Sequence, residues 1–255
     1  MVNFIPTFLI LFLLAFGEVP RAEAEISKYC CDVGKNIEGL VVKSDPQTLL
    51  LENGQLFSLA HFLWDEKARP WIEIQGRIIK IEPVDGAEKE WKSNRYGEKV
   101  GKILTVQIGW LQKYWMSQGL AAWKGIAGYP DAVKNDLLKF EKMARSEQRG
   151  VWKNLKIQQA DKLEYSGKSG SFNIVEGKVH QVRTIGGVTY LNFSEDWKTD
   201  FTAAILPKNR VNFRKQSWKL ADLENKWIRV RGAMRYYNGP YMNVVFPDQI
   251  ELLDR

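Results

Sequence analysis

Histidine and cysteine are scarce in this chain, which has two of each among 255 residues. His61 and His180 stand apart, each in an expected strand with no second His or Cys nearby, so no paired-ligand zinc motif can be assembled from them. Both are read as ordinary sheet residues. Cys30 and Cys31 are adjacent, and neighbouring cysteines close only a strained ring, which excludes an internal structural staple. A link to another chain in an oxidising compartment stays open, as does an inert pair near a chain end. Lys28 and Tyr29 precede them where lipid attachment would need small apolar residues. The sequence also lacks a Gly-rich phosphate loop and a nucleophile elbow. Beyond residue 25 no apolar run is long enough to span a bilayer as a helix.

What is present begins with a candidate export signal. Phe4 to Phe16 is almost wholly apolar, too short to span a membrane, and Gly17, Glu18 and Pro20 break it. Ala22-Glu23-Ala24 supplies a small-x-small cleavage pattern, so residues 1–24 are read as a signal peptide and 25–37 as an N-terminal segment. The expected location is periplasmic or secreted, with no membrane span after cleavage. No Lys or Arg precedes the apolar run, which keeps an uncleaved N-terminal anchor as the alternative. With 45% hydrophobic and 12% aromatic residues the rest can build real cores, and its length suits two domains. A net charge of +7 suits polyanions or an anionic membrane surface, without singling one out.

Turn chemistry divides the first half into short strands. Glu38–Val42, Thr48–Leu51 and Leu56–Phe62 are separated by Asp45-Pro46 and by Asn53-Gly54, the second a hairpin signal. Trp71–Glu82 reads as a longer strand that Gly76 could bend, Asp85–Ser93 as a loop, and Val100–Ile108 as a fifth strand. Helices are expected over Leu111–Trp123 and Asp131–Gln148, the latter with Val133, Leu137, Phe140 and Ala144 at helical spacing. Gly150 would stop the second helix and Trp152 would clamp it. The polar stretch 157–171 reads as a linker. Strands follow over Ile174–Thr184, Val188–Phe193 and Asp200–Leu206, the first two joined by Gly186-Gly187. After a partly helical Pro207–Leu223 come Trp227–Tyr236, Tyr241–Val245 and Ile250–Leu253. The expected fold class is mainly β (α+β), with two OB-type five-stranded β-barrels at 38–156 and 172–255.

Three segments carry a family resemblance. Asn94-Arg95-Tyr96-Gly97-Glu98-Lys99, then Gln118-Gly119-Leu120-Ala121-Ala122-Trp123, then Glu141 through Arg149-Gly150-Val151-Trp152 resemble, in order and spacing, the C-terminal half of the thermonuclease (staphylococcal-nuclease-like) domain. The resemblance implies a barrel with two trailing α-helices of thermonuclease type. The run from Gly177-Lys178-Val179 through Tyr190-Leu191-Asn192-Phe193, Trp197–Thr202 and Val230-Arg231-Gly232 to Asn238-Gly239-Pro240 is similar to the OB-type domain that follows thermonuclease domains in some bacterial proteins.

The resemblance also implies a site for calcium-dependent phosphodiester cleavage, and most of that site is replaced. The chemistry needs carboxylates for the cation, two arginines to grip the phosphate and a glutamate for the water. The first metal carboxylate position is Gln47, with Asp45 acidic just before it, and the second is Leu63. The arginine positions are Ser58 and Glu98, and only Glu66 falls where the glutamate belongs. Removing one such stabiliser costs about 10²–10³ in rate, so the expectation is a pseudoenzyme with no catalytic residues, no metal and no cofactor. Calcium enters only if a rebuilt nuclease site exists.

Binding signals cluster in the second half. Arg229, Arg231 and Arg235 alternate along one strand, Lys208, Arg210, Arg214, Lys215 and Lys219 form a basic stretch, and Tyr190, Tyr236, Tyr237 and Tyr241 flank the hairpins. Basic rows with aromatics on a sheet face hold single-stranded nucleic acid by phosphate attraction and base stacking. Tyr190, Arg229, Arg231, Arg235, Tyr237 and Tyr241 are therefore the candidate ligand-binding residues. A solvated outer face with half-buried tyrosines is the competing explanation. The tryptophans at 110, 115, 123 and 152 are read as packing residues. The expected partner is single-stranded nucleic acid or another envelope polyanion, with an envelope protein as the alternative.

Overall fold

The computed structural model describes residues 36–84, 91, 93–94, 96–163, 168–195 and 201–254. The expected signal (1–24), Cys30-Cys31, Arg95, Trp197 and most of the Asp85–Ser93 loop lie outside the described residues. Among the described residues the fold is mainly β with three α-helices.

The first half contributes β1 (Ile37–Ser44), β2 (Thr48–Leu51), β3 (Leu56–Ser58), β4 (Phe62–Trp64), β5 (Ile78–Pro83), β6 (Gly101–Thr105) and β7 (Gly109–Trp110). They are followed by α1 (Leu111–Ser117), β8 (Ala121–Trp123) and α2 (Asp131–Ser146). Six of the strands form a sheet in the order β3-β2-β1-β5-β6-β7, and β4 pairs separately with β8. β1 serves two partners. Ile37–Leu40 runs antiparallel to β5, and beyond an irregularity at Val41–Lys43 the strand pairs with β2. A parallel bridge, Phe57 to Lys99, brings β3 beside the entry to β6. The Asp45 carboxylate accepts the Gln47 and Thr48 amides at 2.8 Å each, which fixes the β1–β2 turn. Partial burial pushes that carboxyl up, but these amides prevail and hold it below the usual range.

Several expected elements are shorter or of another kind. The strand expected at Leu56–Phe62 is two strands, β3 and β4. The one expected at Trp71–Glu82 starts as a tight helical turn at Ile72–Ile74, and only Ile78–Pro83 is extended. Gly76 has φ +74 and donates its amide to Val41, so the chain reverses there. Burial of Trp71 favours that turn, because its ring packs against Trp64 with centroids 5.4 Å apart. The helix expected at Leu111–Trp123 ends at Ser117, since Gly119 (φ +69) turns the chain into β8. Gly119 and Gly150 (φ +50) meet back to back, and the Val151 amide donates to the Gly119 carbonyl at 2.8 Å. A Cβ on Gly150 would stand 2.1 Å from that carbonyl oxygen. The Gln118-Gly119 and Arg149-Gly150 segments are thus halves of one contact.

The second half has β9 (Ile157–Gln159), β10 (Phe172–Lys178), β11 (Gln181–Ile185), β12 (Val188–Asn192) and β13 (Thr202–Ile205). Then come α3 (Arg210–Lys215), β14 (Trp227–Tyr236), β15 (Pro240–Asn243) and β16 (Ile250–Leu252). The order is β11-β12-β13-β15-β14-β10-β9, with β16 on β14. The stretch expected to be a linker, 157–171, supplies β9, which runs parallel to β10. The long strand expected at Ile174–Thr184 is β10 and β11, broken at Val179-His180, so one stretch of chain pairs with β14 by its first part and with β12 by its second.

Two aromatic and aliphatic cores fill these sheets, and a third cluster of Ala122, Ala144, Trp152 and Ile174 joins α2 and β8 to β10. The described residues accordingly belong to one compact unit. Trp115, Trp123 and Trp152 are buried, whereas Trp110 carries Lys102 and Lys113 over its ring at 5.3 Å each.

Candidate functional site

Two hairpins build the site. In the first, Gly186 (φ +56) and Gly187 (φ +81) form a two-residue turn, a geometry that glycine pairs favour because both positions need positive φ. That turn sets Ile185 opposite Val188 and Arg183 opposite Tyr190. In the second, Asn238 and Gly239 turn β14 into β15, and Arg235 stands opposite Tyr241. β13 links the hairpins, because Thr202 pairs with Asn192 on one side and with Tyr241 on the other. The result is an open cleft of about 260 Å³ lined by Arg183, Ile185, Tyr190, Asn192, Tyr237 and Tyr241, among others.

Its chemistry is aromatic with a cationic edge. Tyr237 and Tyr241 meet edge to face with centroids 5.9 Å apart, and Tyr237 is 69% exposed. Partial burial pushes the Tyr241 phenol up, Tyr190 and Tyr237 reinforce this, and Arg235 opposes it. The phenol therefore stays protonated at neutral pH and can donate a hydrogen bond. Among the described residues no ion pair joins Arg183 or Arg235 to a carboxylate. Flat rings and the Arg183 guanidinium in one open cleft, with Arg235 beside it opposite Tyr241, can stack planar groups and attract phosphates.

Arg229 and Arg231 do not belong to it. Both are buried, and each guanidinium is already committed to carboxylates. Arg229 donates to Glu176 at 2.9 and 3.2 Å and to both Glu251 oxygens at 2.9 Å. Arg231 donates to Glu141 at 3.1 and 3.2 Å, to Glu251 at 3.0 Å and to the Trp123 carbonyl at 3.0 Å. Arg145 lies 3.6 Å from Glu141, so three arginines balance three glutamates. Burial acts to lower the Arg229 pKa, but Glu251 and Glu176 outweigh it and the group stays firmly charged. The cause lies in strand pairing. Along β14, Arg229 faces Glu176 of β10 and Glu251 of β16, and Arg231 reaches α2, whereas Arg235 lies beyond β10 and pairs with β15.

The five positions of the expected nuclease site do not form one polar cluster. Backbone pairing keeps Gln47, Ser58 and Glu98 neighbours, because Thr48 pairs with Ser58 and the Ser58 amide donates to Lys99 at 2.8 Å. Their side chains do little together. Ser58 is 5% exposed, and Glu98 accepts a hydrogen bond from Asn94 Nδ2 at 2.7 Å. Leu63 packs on the Ala122–Trp152 cluster, and Glu66 is exposed. Among the described residues no group of three or more His, Cys, Asp or Glu is arranged to hold a metal. His61 is buried against Trp123 and Tyr129, with Nε2 3.1 Å from the Ala127 carbonyl. Burial drives its pKa down to about 4 against that hydrogen bond, with Lys124 helping, so the ring is neutral. His180 is exposed at the β10–β11 break.

No protein-family model and no curated protein matches this chain. What can be said of function therefore rests on the cleft itself. Of the candidates expected from sequence, Tyr190, Tyr237 and Tyr241 line this cleft and Arg235 stands beside it, opposite Tyr241, whereas Arg183, Ile185 and Thr202 line it without having been singled out. The signal for Arg183 was available: a two-residue Gly186-Gly187 turn dictates its register with Tyr190.

Proposed function

We propose that this chain is a binding protein without nuclease activity, built on two OB-type barrels, whose tyrosine cleft takes single-stranded nucleic acid. The observation that carries the proposal is the convergence of Tyr190, Tyr237 and Tyr241 with Arg183 on one open cleft. The OB-type assignment is supported by a pairing scheme common to both halves. A long first stretch bends across two partners, a meander follows, and a parallel contact joins the third strand to a later one, Phe57–Lys99 in one half and β13–β15 in the other. In OB folds the second and third strands and the flanking loops bind oligomers, and here β12, β13 and the Tyr237-Asn238 turn line the cleft. The thermonuclease resemblance adds support for the first half, and the replacements at Gln47, Ser58, Leu63 and Glu98 weigh against its chemistry. An exported location is proposed on the pattern of residues 1–24. No helix among the described residues is long and apolar enough to cross a membrane.

Fluorescence anisotropy with a labelled oligothymidylate tests the reading. Tyr237→Ala and Tyr241→Ala should each cost about 1–3 kcal/mol of binding. Arg183→Ala and Arg235→Ala should each reduce the slope of log K against log salt by about one unit. Undiminished affinity in the double tyrosine variant would overturn the proposal. The labelled strand should stay intact in calcium, with or without chelator.

A second reading, a protein-interaction module, is favoured by exposed Val42 on β1, Ile72 in the helical turn before β5, and Ile78 on β5. Capture of a protein that survives nuclease treatment and is lost in Val42→Lys/Ile78→Lys would favour it.

A further inference from the structure

The β11–β12 hairpin has a second cleft on its other face. Strand alternation sends Arg183 and Ile185 into the tyrosine cleft and Val182 and Thr184 into a cavity of about 360 Å³ against α3 and the turn at Leu220–Leu223. Its lining includes apolar Phe213, Trp218 and Leu220, with Phe213 and Trp218 edge to face at 6.0 Å. Arg210, Arg214 and Lys219 also line it, and among the described residues none of the three is in an ion pair. The Thr184 and Thr189 hydroxyls, 3.1 Å apart, add donors to the wall. The nearby acids Asp222 and Glu224 do not line the cleft, and Glu224 already accepts the Val182 amide at 3.0 Å.

We infer that this cleft binds a phosphate monoester of an apolar or aromatic group. Three cations around one cavity exceed what a single carboxylate neutralises, whereas a phosphate dianion with three acceptor oxygens can engage two guanidiniums and an ammonium at once. Bare phosphate would use the cations and leave the half-buried Trp218 and Leu220 surface, backed by buried Phe213, in water. An apolar ester group would cover that surface and gain its burial. The volume suits a small ligand. Both a free small phosphomonoester and the terminal 5′-phosphate of a nucleic acid strand present this chemistry. The inference does not depend on the proposed role of the tyrosine cleft.

Calorimetric titration of the full chain with phenyl phosphate is the test. Binding with Kd near or below about 1 mM is expected, and inorganic phosphate should bind at least about tenfold more weakly. Arg210→Ala/Arg214→Ala should weaken phenyl phosphate at least about tenfold. Ala221→Trp fills the rim while leaving every charge in place, and should abolish binding with little change in thermal stability. Tyr237→Ala/Tyr241→Ala should leave phenyl phosphate binding unchanged, which separates failure here from failure of the nucleic-acid proposal. No heat up to about 10 mM would overturn the inference. So would equal affinity in the arginine double variant or in Ala221→Trp, or equal binding of inorganic phosphate. A comparison of 5′-phosphorylated with unphosphorylated oligothymidylate identifies the source. Tighter binding of the phosphorylated strand that requires Arg210 and Arg214 supports the strand end, and no difference alongside phenyl phosphate binding supports a small ester.

Discussion

The two halves of this protein share a pairing scheme and differ in where their polar groups go. In the first, the turn carboxylate of Asp45 is held by backbone amides, Glu98 by Asn94, and the space beside the sheet by Trp64, Trp71 and Trp115. In the second, a cleft lies on each face of the β11–β12 hairpin, lined by arginines that, among the described residues, are in no ion pair. Similar strand order thus produces a packed scaffold in one half and open clefts in the other. Between the halves lies the buried arginine–glutamate cluster, which belongs to neither alone.

The largest effect is expected at that seam. Arg231→Ala strands Glu141, which is 1% exposed, with only Arg145 and the Trp123 amide for company. Removing one partner of a buried pair costs about 3–5 kcal/mol, and urea unfolding followed by tryptophan fluorescence should report it. The transition should also split, because the cluster ties α2 to β14. A loss under about 1 kcal/mol with one sharp transition would mean that the apolar Ala122–Trp152 cluster alone couples the halves. Arg231→Met/Glu141→Leu should recover only part of the loss, since the Trp123 amide would then lose its 2.7 Å acceptor.

A smaller effect, confined to the first half, is set by His61. The unfolded chain protonates this ring near 6.5 and the folded protein only near 4, because the ring is buried. The unfolded state therefore binds more protons between those values. The stabilisation is complete above pH 6.5, falls as pH drops, and stops falling below about 4, a loss of about 3 kcal/mol from this residue. His61→Phe, which keeps an aromatic ring against Trp123 and Tyr129, should remove that share of the pH dependence. Denaturant midpoints at pH 7 and 4.5 for both proteins give the comparison. Identical acid sensitivity in the two would show that the carboxylates alone govern it.

The contrast between the halves was only half visible in the sequence. Local signals worked well: Asn53-Gly54 and Gly186-Gly187 do form hairpin turns, and the periodicity from Val133 to Ala144 does mark α2. Signals that needed a partner strand failed. Arg229, Arg231 and Arg235 are equivalent by alternation, and nothing nearby in the chain says that Glu176 and Glu251 will face the first and Glu141 the second. Periodicity likewise carried the expected helix through Gly119, because the reason the chain turns there is a backbone contact with Gly150, far along the chain. Tyr190, Tyr237 and Tyr241 share one cleft because two short turns, Gly186-Gly187 and Asn238-Gly239, set the register of their strands, and local sequence specifies such turns well.

The smallest effect is expected at the surface positions of the expected nuclease site. Gln47 is exposed and Glu98 half-buried, so Gln47→Asp/Glu98→Arg changes charge without disturbing the core. Stability should move by no more than about 0.5 kcal/mol, as is usual for substitutions away from buried partners. Cleavage of single-stranded DNA in calcium should remain absent. The other two positions of the expected site sit where a surface change does not reach: Ser58 is buried beside Lys99, and Leu63 is packed on the cluster of Ala122 and Trp152. An arginine at Ser58 would have to displace core, and an aspartate at Leu63 would enter the seam between the halves without a partner, at a cost of several kcal/mol. Calcium-dependent cleavage by the double variant would mean that carboxylates and cations elsewhere complete the site, and that the packed half is closer to catalysis than its buried residues suggest.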